Sequence, residues 1–462
     1  MRRLAELPTP WRYVVIALIA IGVWFVLKWV DQDETFVAPS SSRVTIHIKL
    51  KRGSHSRGGL MAVFHHPLDT TNPDPRWRWA EESVPSGYAA EALAELQRDP
   101  DVEDAYIVPV YSLPTSTAPA RDDASCPITT PSFESYQGYL GAAPGGIDAP
   151  AAWRRGVRGA GVWFADIEGG WNASHEDLPG DRITHVSGTP IDDPSWSAHG
   201  TAVLGEVVGR DNGKGVVGIA PDVERVFTAS IGSQSVAEAI DTAAEQLRPG
   251  DVLLIELQGG GPRGRYLPIE YWDDNFDAIQ AATARGVIVI EAAGNGAENL
   301  DHSAYKKKFD RWKRDSGAIM IGAGGPPRDG FTDRERLDFS NYGSRVDVQG
   351  WGRKVATLDY GDLQRCSDVK DRHYTNEFSG TSSASPIVAG AAVLVQSYVR
   401  SETGAVLSPD AMRNLLRETG TAQAGNVKEQ IGPRPDLARA LTFALEATHA
   451  EDRTVREHQS AQ

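Results

Sequence analysis

Two short segments between residues 43 and 112 alternate apolar and polar residues with a period of two. The stretch "RVTIHIKLK" begins at Arg43, and "VEDAYIVPVY" follows the turn "RDPD". This alternation is typical of strands with one buried face. The stretch "AAEALAELQ" between them has helical periodicity instead. We therefore predict a small α+β unit over residues 43–112.

A different pattern extends over residues 146–448. Short apolar runs such as "GVWFADI", "GDVLLIELQ" and "GVIVIEAAG" alternate with helical stretches such as "DDNFDAIQAATARG". Strands buried on both faces and joined by crossover helices indicate an α/β fold with a doubly wound, mostly parallel sheet. Ligands of such sheets bind beyond the carboxyl ends of the strands, so we expect the chemistry there.

The longest apolar run is "YVVIALIAIGVWFVLKWV" at residues 13–30. Its length is close to the roughly 20 residues that a bilayer needs. Residues 1–12 carry three arginines, and acidic "DQDE" opens a spacer at 31–42, so the rest of the chain is expected on the exported side. No small-x-small site follows the run, which favours a retained transmembrane anchor over a cleaved signal peptide and a secreted protein.

Two further segments have linker or tail composition. Residues 113–145 include "LPTSTAPARDDASCPITTPS", which is rich in Pro, Ser, Thr and Ala and predicts an exposed linker. Residues 449–462 form a charged tail that we expect to be frayed.

Composition narrows the classes of function. The 462 residues are 40 % hydrophobic and 24 % charged, as in ordinary globular proteins. A formal net charge of -15 argues against nucleic-acid binding, because proteins that bind nucleic acids usually have a basic surface. Cys126 and Cys366 are the two cysteines of the chain, which excludes a disulfide scaffold and leaves open one long-range bridge in an oxidising compartment.

Four polar residues stand where predicted strands end or helices begin. Asp166 closes "GVWFAD", His199 opens "HGTAVLGEVVG", Asn295 follows "VIVIEAAG", and Ser382 lies in "FSGTSSASPIVAGAAVL" before an apolar helix. Each alone is explained by a turn or a helix cap. Together, Asp, His and Ser can make a hydroxyl nucleophilic, and an amide can stabilise the oxyanion.

The motifs "HGTAVLG", "AAGNG" and "SGTSSASP", in the order Asp, His, Asn, Ser, resemble those of the subtilisin-like serine peptidases. The resemblance spans about Gly146 to Leu445. It implies that Ser382 is the nucleophile, His199 the general base and acid, Asp166 its orienting carboxylate and Asn295 an oxyanion donor. It also implies that extended substrate pairs with the backbone of Leu257 to Gly261.

The chain departs from this family in its acidic residues. The family usually has Asp-Thr-Gly or Asp-Ser-Gly where this chain has "DIEGG", so Glu168 adds a second carboxylate, which we expect to point to solvent. Glu256 and Glu291 interrupt apolar strands. Either they lie near the substrate cleft and favour basic side chains, or they are structural, paired with arginine or facing solvent.

The resemblance also bears on metals and on the N-terminal unit. No cofactor is expected for the chemistry, but the family often binds calcium, and Asp177 and Asn212 occupy matching positions, with Lys214 counting against an ion. Residues 43–112 resemble an inhibitory propeptide, with processing expected in the linker at 113–145. The pair His65 and His66 is interpreted as a surface pair rather than a metal site.

These inferences favour one function and leave two alternatives. The first is an exported, membrane-anchored serine endopeptidase that is made as a zymogen, acts on protein or peptide substrates and is blocked by its own propeptide. The second is a catalytically silent homologue that binds peptides. The third is a ligase or cyclase, because the access of water decides between hydrolysis and aminolysis.

Overall fold

The computed structural model describes residues 42–54, 59–113, 126–366 and 369–446. The predicted membrane segment at 13–30, part of the linker and the charged tail lie outside these residues. The chain divides into two compact units. Of the described residues, one unit comprises those up to Met61 together with Ala80–Val108, and the other comprises Ala62–Trp79 together with those from Pro109 onward.

The strands and helices are numbered in chain order. The strands are β1 (Arg43–Leu50), β2 (Met61–Ala62), β3 (Trp79–Pro85), β4 (Val102–Ile107), β5 (Tyr111–Ser112), β6 (Trp163–Glu168), β7 (Ile183–Ser187), β8 (Arg225–Ser230), β9 (Val252–Ile255), β10 (Gln258–Gly260), β11 (Tyr266–Pro268), β12 (Ile288–Ala292), β13 (Ile319–Gly324), β14 (Val348–Trp351), β15 (Val355–Leu358) and β16 (Tyr374–Phe378). The helices are α1 (Ala89–Leu96), α2 (Ala149–Trp153), α3 (Pro194–Val208), α4 (Val236–Glu245), α5 (Asp273–Ala284), α6 (Thr381–Thr403), α7 (Pro409–Thr419) and α8 (437–446).

The smaller unit is built on an antiparallel pairing of β1 with β4. These strands belong to a four-stranded sheet of order β2-β3-β1-β4, and α1 precedes β4 in the chain. The two strands and the helix form where their periodicity predicts them. The predicted unit over residues 43–112 is interrupted, because residues 62–79 belong to the larger unit.

A seven-stranded sheet of order β14-β13-β12-β9-β6-β8-β7 forms the centre of the larger unit. Every neighbouring pair in it is parallel, as the buried apolar runs predict. The helices α4 and α5 are joined to these strands by short loops, and α4, α5 and α6 all bury their apolar residues. The predicted α/β fold with a large parallel sheet is therefore confirmed for this unit.

The helix α6 passes through the middle of the larger unit. It is the one helix of the described residues that is long and apolar enough to span a membrane, and 94 % of its most apolar 18-residue stretch is buried in protein. Such burial is that of a core helix, whose apolar residues pack against the sheet. The core position also fixes the first turn of α6, which carries Ser382.

Candidate active site

Six polar residues come together at the carboxyl ends of three central strands. This is the edge of the sheet at which the sequence predicted the chemistry. The residues are Asp166 and Glu168 on β6, Glu256 after β9, Asn295 after β12, His199 on α3 and Ser382 on α6.

The imidazole of His199 contacts a carboxylate through Nδ1. Its partner is Glu168, whose Oε1 lies 2.5 Å from Nδ1. Both side chains are fully buried. The expectation that Glu168 points to solvent is therefore wrong, and so is the expectation that Asp166 is the carboxylate that contacts His199.

Asp166 occupies a different place on the same strand. It lies two residues before Glu168, hence on the same face of β6 but one step further from the strand end. Its Oδ2 accepts a hydrogen bond of 2.7 Å from the indole Nε1 of Trp171. Glu168 is the last residue of β6 and has one more methylene than aspartate, so its carboxylate reaches the imidazole.

The sequence contained a signal for this arrangement. The family motif is an acid followed by a small residue and glycine, and Glu168 is followed by Gly169 and Gly170. A side chain at Gly169 would collide with the ring of Trp196, because its Cβ would lie 2.3 Å from a ring carbon. Matching the motif to Glu168 rather than to Asp166 would have identified the carboxylate that contacts His199.

The first turn of α6 positions Ser382. Gly380 has a φ of 110°, a conformation that favours glycine, and the helix begins at the next residue. Ser382 therefore lies at the positive end of the helix dipole. Its Oγ and the Nε2 of His199 are both buried, and neither has a hydrogen-bond partner among the described residues. The ring of Phe378 packs edge-on against His199, with centroids 5.4 Å apart.

The side chain of Asn295 is held in one orientation by the same turn. Its Oδ1 accepts hydrogen bonds from the backbone N–H of Thr381 at 3.0 Å and from the hydroxyl of Thr381 at 3.1 Å. The amide nitrogen Nδ2 is thereby the end of the side chain that remains for a ligand. Asn295 and Gly380 both line a cavity of about 280 Å³.

Four buried carboxyl groups, which we call the carboxyl cluster, lie in and beneath this site: Asp166, Glu168, Glu206 and Glu256. Burial raises the pKa of each well above its ordinary value, and repulsion from Glu168 raises that of Asp166 and Glu256 further. The hydroxyl of Ser382 is close enough to Glu256 to offset part of this rise in pKa, although the two form no hydrogen bond of normal geometry.

Burial has the opposite effect on the imidazole. It lowers the pKa of His199 to about 3, because the charged imidazolium loses its hydration. With the pKa of Glu168 raised, neither partner favours its fully charged form. For His199 to act as a base, the proton of its neutral imidazole must lie on Nδ1, facing the Glu168 carboxylate, so that Nε2 is free to accept the proton of Ser382.

A groove beside Ser382 and Asn295 is occupied by the chain itself. The strand β5 pairs antiparallel with β10, so that Ser112 faces Gln258. The amide nitrogen of Gln258 donates to the carbonyl of Leu113 at 3.1 Å. The resemblance predicted extended substrate along residues 257–261, and here a segment of the same chain takes that position.

The chain matches a known protein family. Residues 166–433, more than half of it, match the Subtilase family, Peptidase S8. This chain belongs to the subtilase family. The matched region begins at Asp166 and includes Glu168, His199, Asn295 and Ser382.

Curated relatives of this subtilase are serine proteases. The major intracellular serine protease of Bacillus subtilis (strain 168) is 27 % identical over 290 residues, which cover 59 % of this chain and 80 % of that protein. Subtilisin DY of Bacillus licheniformis is 30 % identical over 280 residues, covering 60 % of this chain and 89 % of that protein. These relatives support a serine peptidase function, with proteins or peptides as substrates.

Solved structures share the fold of this subtilase. The epidermin leader peptide processing serine protease (EpiP) from Staphylococcus aureus aligns over 87 % of this chain and 99 % of its own, with a TM-score of 0.59 and 18 % identity. A protease from Pseudoalteromonas arctica PAMC 21717 aligns over 67 % and 98 %, with a TM-score of 0.51 and 22 % identity. At these identities the likeness concerns the fold.

The loop of this subtilase at which the resemblance suggested calcium is held together by hydrogen bonds between its own residues. Asp177 accepts from the amide nitrogen of Asn212 at 2.7 Å and from the backbone N–H of Val216 at 2.9 Å. The ammonium of Lys214 lies 2.9 Å from Glu176. Because the oxygens of Asp177 are engaged and a lysine supplies positive charge, these residues do not fit a calcium site in this arrangement.

The two glutamates that interrupt apolar strands have different surroundings. Glu256 belongs to the carboxyl cluster beside Ser382. Glu291 instead accepts a hydrogen bond from the backbone N–H of Glu270, whose carboxylate pairs with both Nε and Nη2 of buried Arg345 at 2.8 Å. Glu291 thus belongs to a structural ion-pair network, and neither glutamate lines the cavity beside Asn295.

Proposed function

We propose that this subtilase is a serine endopeptidase whose triad consists of Glu168, His199 and Ser382. The Ser382 Oγ attacks the carbonyl carbon of a peptide bond while His199 Nε2 takes the hydroxyl proton. Glu168 holds the imidazole by Nδ1 and stabilises the imidazolium that forms. The Nδ2 of Asn295 and the backbone N–H of Ser382 donate to the oxyanion.

The same imidazole completes the reaction. Nε2 returns its proton to the leaving amine as the carbon–nitrogen bond breaks, which leaves an acyl ester on Ser382. Water then attacks the ester, His199 takes a proton from that water, and the acid product leaves as Ser382 recovers its proton. The observation that carries this proposal is the 2.5 Å contact between His199 Nδ1 and Glu168.

Three substitutions test the assignment of the acid. Glu168→Gln is expected to lower kcat by about 10³- to 10⁴-fold, because an amide can hold the wrong tautomer of the imidazole and cannot balance its charge. Glu168→Asp is expected to lose activity too, since its carboxylate falls about 1.5 Å short. Asp166→Asn is the matched control, because its oxygen still accepts from Trp171, and it should lose less than 10-fold. A larger loss in Asp166→Asn than in Glu168→Gln would reverse the assignment.

We also propose that the chain is made as a zymogen. Tyr111 to Leu113 occupy the groove along β10 in the manner of an extended substrate, and the linker at 113–145 follows at once. The position of Leu113 in the cavity beside Asn295 supports cleavage close after it. The unit that precedes Tyr111 then acts as an inhibitory propeptide.

Intact mass and N-terminal sequencing of wild-type and Ser382→Ala chains test this proposal. Self-cleavage in the linker is expected in the wild type alone. Labelling by a serine-directed phosphonate then separates a working enzyme from a silent peptide-binding homologue, and product masses separate hydrolysis from ligation. Absence of both cleavage and labelling would rule out the endopeptidase.

We further propose that the catalytic unit is exported and tethered by residues 13–30. The bridge between Cys126 and Cys366 supports this location, since disulfides persist in oxidising compartments. Membrane fractionation of the producing cells and protease digestion of intact cells or spheroplasts test it. Recovery of the chain in the cytosol, with both thiols free, would contradict export.

A further inference from the structure

We propose that His65, His66, Asp241 and Glu245 form a binding site for a divalent transition metal, with zinc as the best match. These residues do not belong to the triad or to the groove along β10. One nitrogen from each histidine and one oxygen from each carboxylate all lie within 4.8 Å of one another. They form the one such group among the described residues.

Three of the six distances between the ligand atoms are close to those around a tetrahedral ion. Oδ2 of Asp241 lies 3.1 Å from Nε2 of His66 and 3.6 Å from Nε2 of His65. Nε2 of His65 lies 3.3 Å from Oε1 of Glu245. Zinc bonds of about 2.0 to 2.2 Å at tetrahedral angles place ligands about 3.3 to 3.6 Å apart. Two imidazoles and two carboxylates are also ligands that zinc accepts.

The carboxylate side of the site is preorganised by α4. Asp241 and Glu245 are four residues apart, so they lie on the same face of the helix. Asp241 is 2 % exposed, and Arg76 pairs with its Oδ1. Because Arg76 engages Oδ1, it leaves Oδ2 directed at both histidines, which is the role of an outer partner that orients a metal ligand.

The histidine side is held by the segment Ala62–Trp79. The ring of His66 stacks on Trp77, with centroids 4.7 Å apart and planes inclined by 17°. The hydroxyl of Ser235, which caps α4, donates to the carbonyl of Val63 at 3.4 Å. His65 and Glu245 keep 36 % and 41 % of their side chains exposed, so an ion can enter from solvent.

The charges of the cluster suit a divalent cation. The carboxylates of Asp241 and Glu245 face two imidazole rings whose centroids are 4.2 Å apart. An ion bound at this place would supply two positive charges next to the two carboxylates. The expectation of a plain surface pair at His65 and His66 therefore gives way to a metal site shared with α4.

The test measures metal binding in the full-length Ser382→Ala chain, which cannot process itself whether or not the proposed peptidase activity is correct. Isothermal titration with Zn²⁺ is expected to give one site per chain, and Co²⁺ should give the absorption bands of a tetrahedral complex. His66→Ala and Glu245→Gln should each weaken binding at least about 100-fold. His302→Ala, a substitution in an exposed histidine outside the cluster, should bind like the parent.

Thermal unfolding in chelator shows whether each variant is folded, so that lost binding is assigned to the ligand and not to misfolding. Equal Zn²⁺ affinity in the parent, His66→Ala and Glu245→Gln chains would overturn the proposal. An octahedral Co²⁺ spectrum, or a spectrum that the His66→Ala substitution leaves unchanged, would overturn it as well.

Discussion

The charge state of His199 is set mainly by the absence of water around it. Burial lowers its pKa to about 3, and the neighbouring carboxyl groups do not offset this, because burial raises the pKa of Glu168 well above its ordinary value. The imidazolium form, in which Nε2 carries a proton and cannot accept one from Ser382, is therefore disfavoured until the solution is acidic.

The pH profile of kcat/KM should show this shift. An ordinary histidine gives an acid limb near pH 6.5. Since the base form of His199 persists below that value, we expect kcat/KM to hold its plateau to about pH 5 and the acid limb to lie lower. Steady-state hydrolysis of a small peptide substrate between pH 3 and about pH 9 measures it. An acid limb at pH 6.5 would mean that the imidazole is hydrated in the mature enzyme.

Glu256 should make the stability of the fold depend on pH. Its folded-state pKa is raised by burial and by Glu168, so the folded chain keeps a proton that the unfolded chain releases above about pH 4.3. Stability therefore falls as pH rises from that value toward the folded pKa. Glu256→Gln removes the titration, so we expect a flatter profile and a more stable protein than the parent at alkaline pH.

Urea unfolding of the Ser382→Ala chain at several pH values measures this effect. Glu402→Gln is the matched control, because Glu402 is exposed, and that substitution should leave the slope with pH unchanged. If Glu256→Gln kept the parental slope, another member of the carboxyl cluster would be responsible for it.

At the level of elements, the segment from Tyr111 to Leu113 is the part of the chain that most resembles bound substrate. Antiparallel pairing with β10 gives this segment backbone hydrogen bonds. Gly259 of β10 allows Trp272 to approach closely, because a Cβ at position 259 would lie 2.3 Å from a ring carbon of Trp272. The ring of Tyr111 packs edge-on against Trp272, and its hydroxyl accepts a bond of 3.0 Å from Asn275. The side chain of Tyr111 thus anchors the strand.

Removal of this anchor should slow self-cleavage. Tyr111→Ala loses the ring contacts, worth about 1.5 kcal/mol, so we expect the first-order rate of processing to fall about 10-fold. Tyr111→Phe keeps the ring and should stay within a few-fold of wild type. Intact mass at timed intervals gives the rates, which should not depend on protein concentration if the reaction is intramolecular. Equal rates in Tyr111→Ala and wild type would exclude the anchor.

Elements could be predicted from the sequence more reliably than side-chain partners. The parallel strands and α6 follow from apolar runs and from periodicity, which depend on local composition. The choice between Asp166 and Glu168 depends on where β6 ends and on one methylene, which no periodicity records. The contact of His65 and His66 with α4 joins residues more than 170 positions apart, so the sequence contained no local signal for it.

At the scale of the whole molecule, the disulfide and the proposed metal site lie differently relative to the proposed cleavage site. The disulfide joins Cys126 to Cys366, with Cα atoms 4.7 Å apart, so both ends lie on the C-terminal side of a cut just after Leu113. The proposed metal site joins His65 and His66 to α4, so its two halves lie on opposite sides of that cut. If the chain is cut there and binds the metal as proposed, the disulfide stays within the mature part and the metal holds the N-terminal part to it.

Release of the N-terminal fragment should therefore respond to a chelator and not to a reductant. We expect the fragment of self-cleaved wild type to co-elute with the catalytic unit in zinc, and to dissociate at least 10-fold faster in chelator, because the metal contacts are lost while the groove contacts of Tyr111 remain. His66→Ala should dissociate equally fast with and without zinc, and reduction of the disulfide should leave the rate unchanged. If the fragment dissociated at the same rate in zinc and in chelator, the metal would contribute nothing to its retention, and the groove contacts alone would account for it.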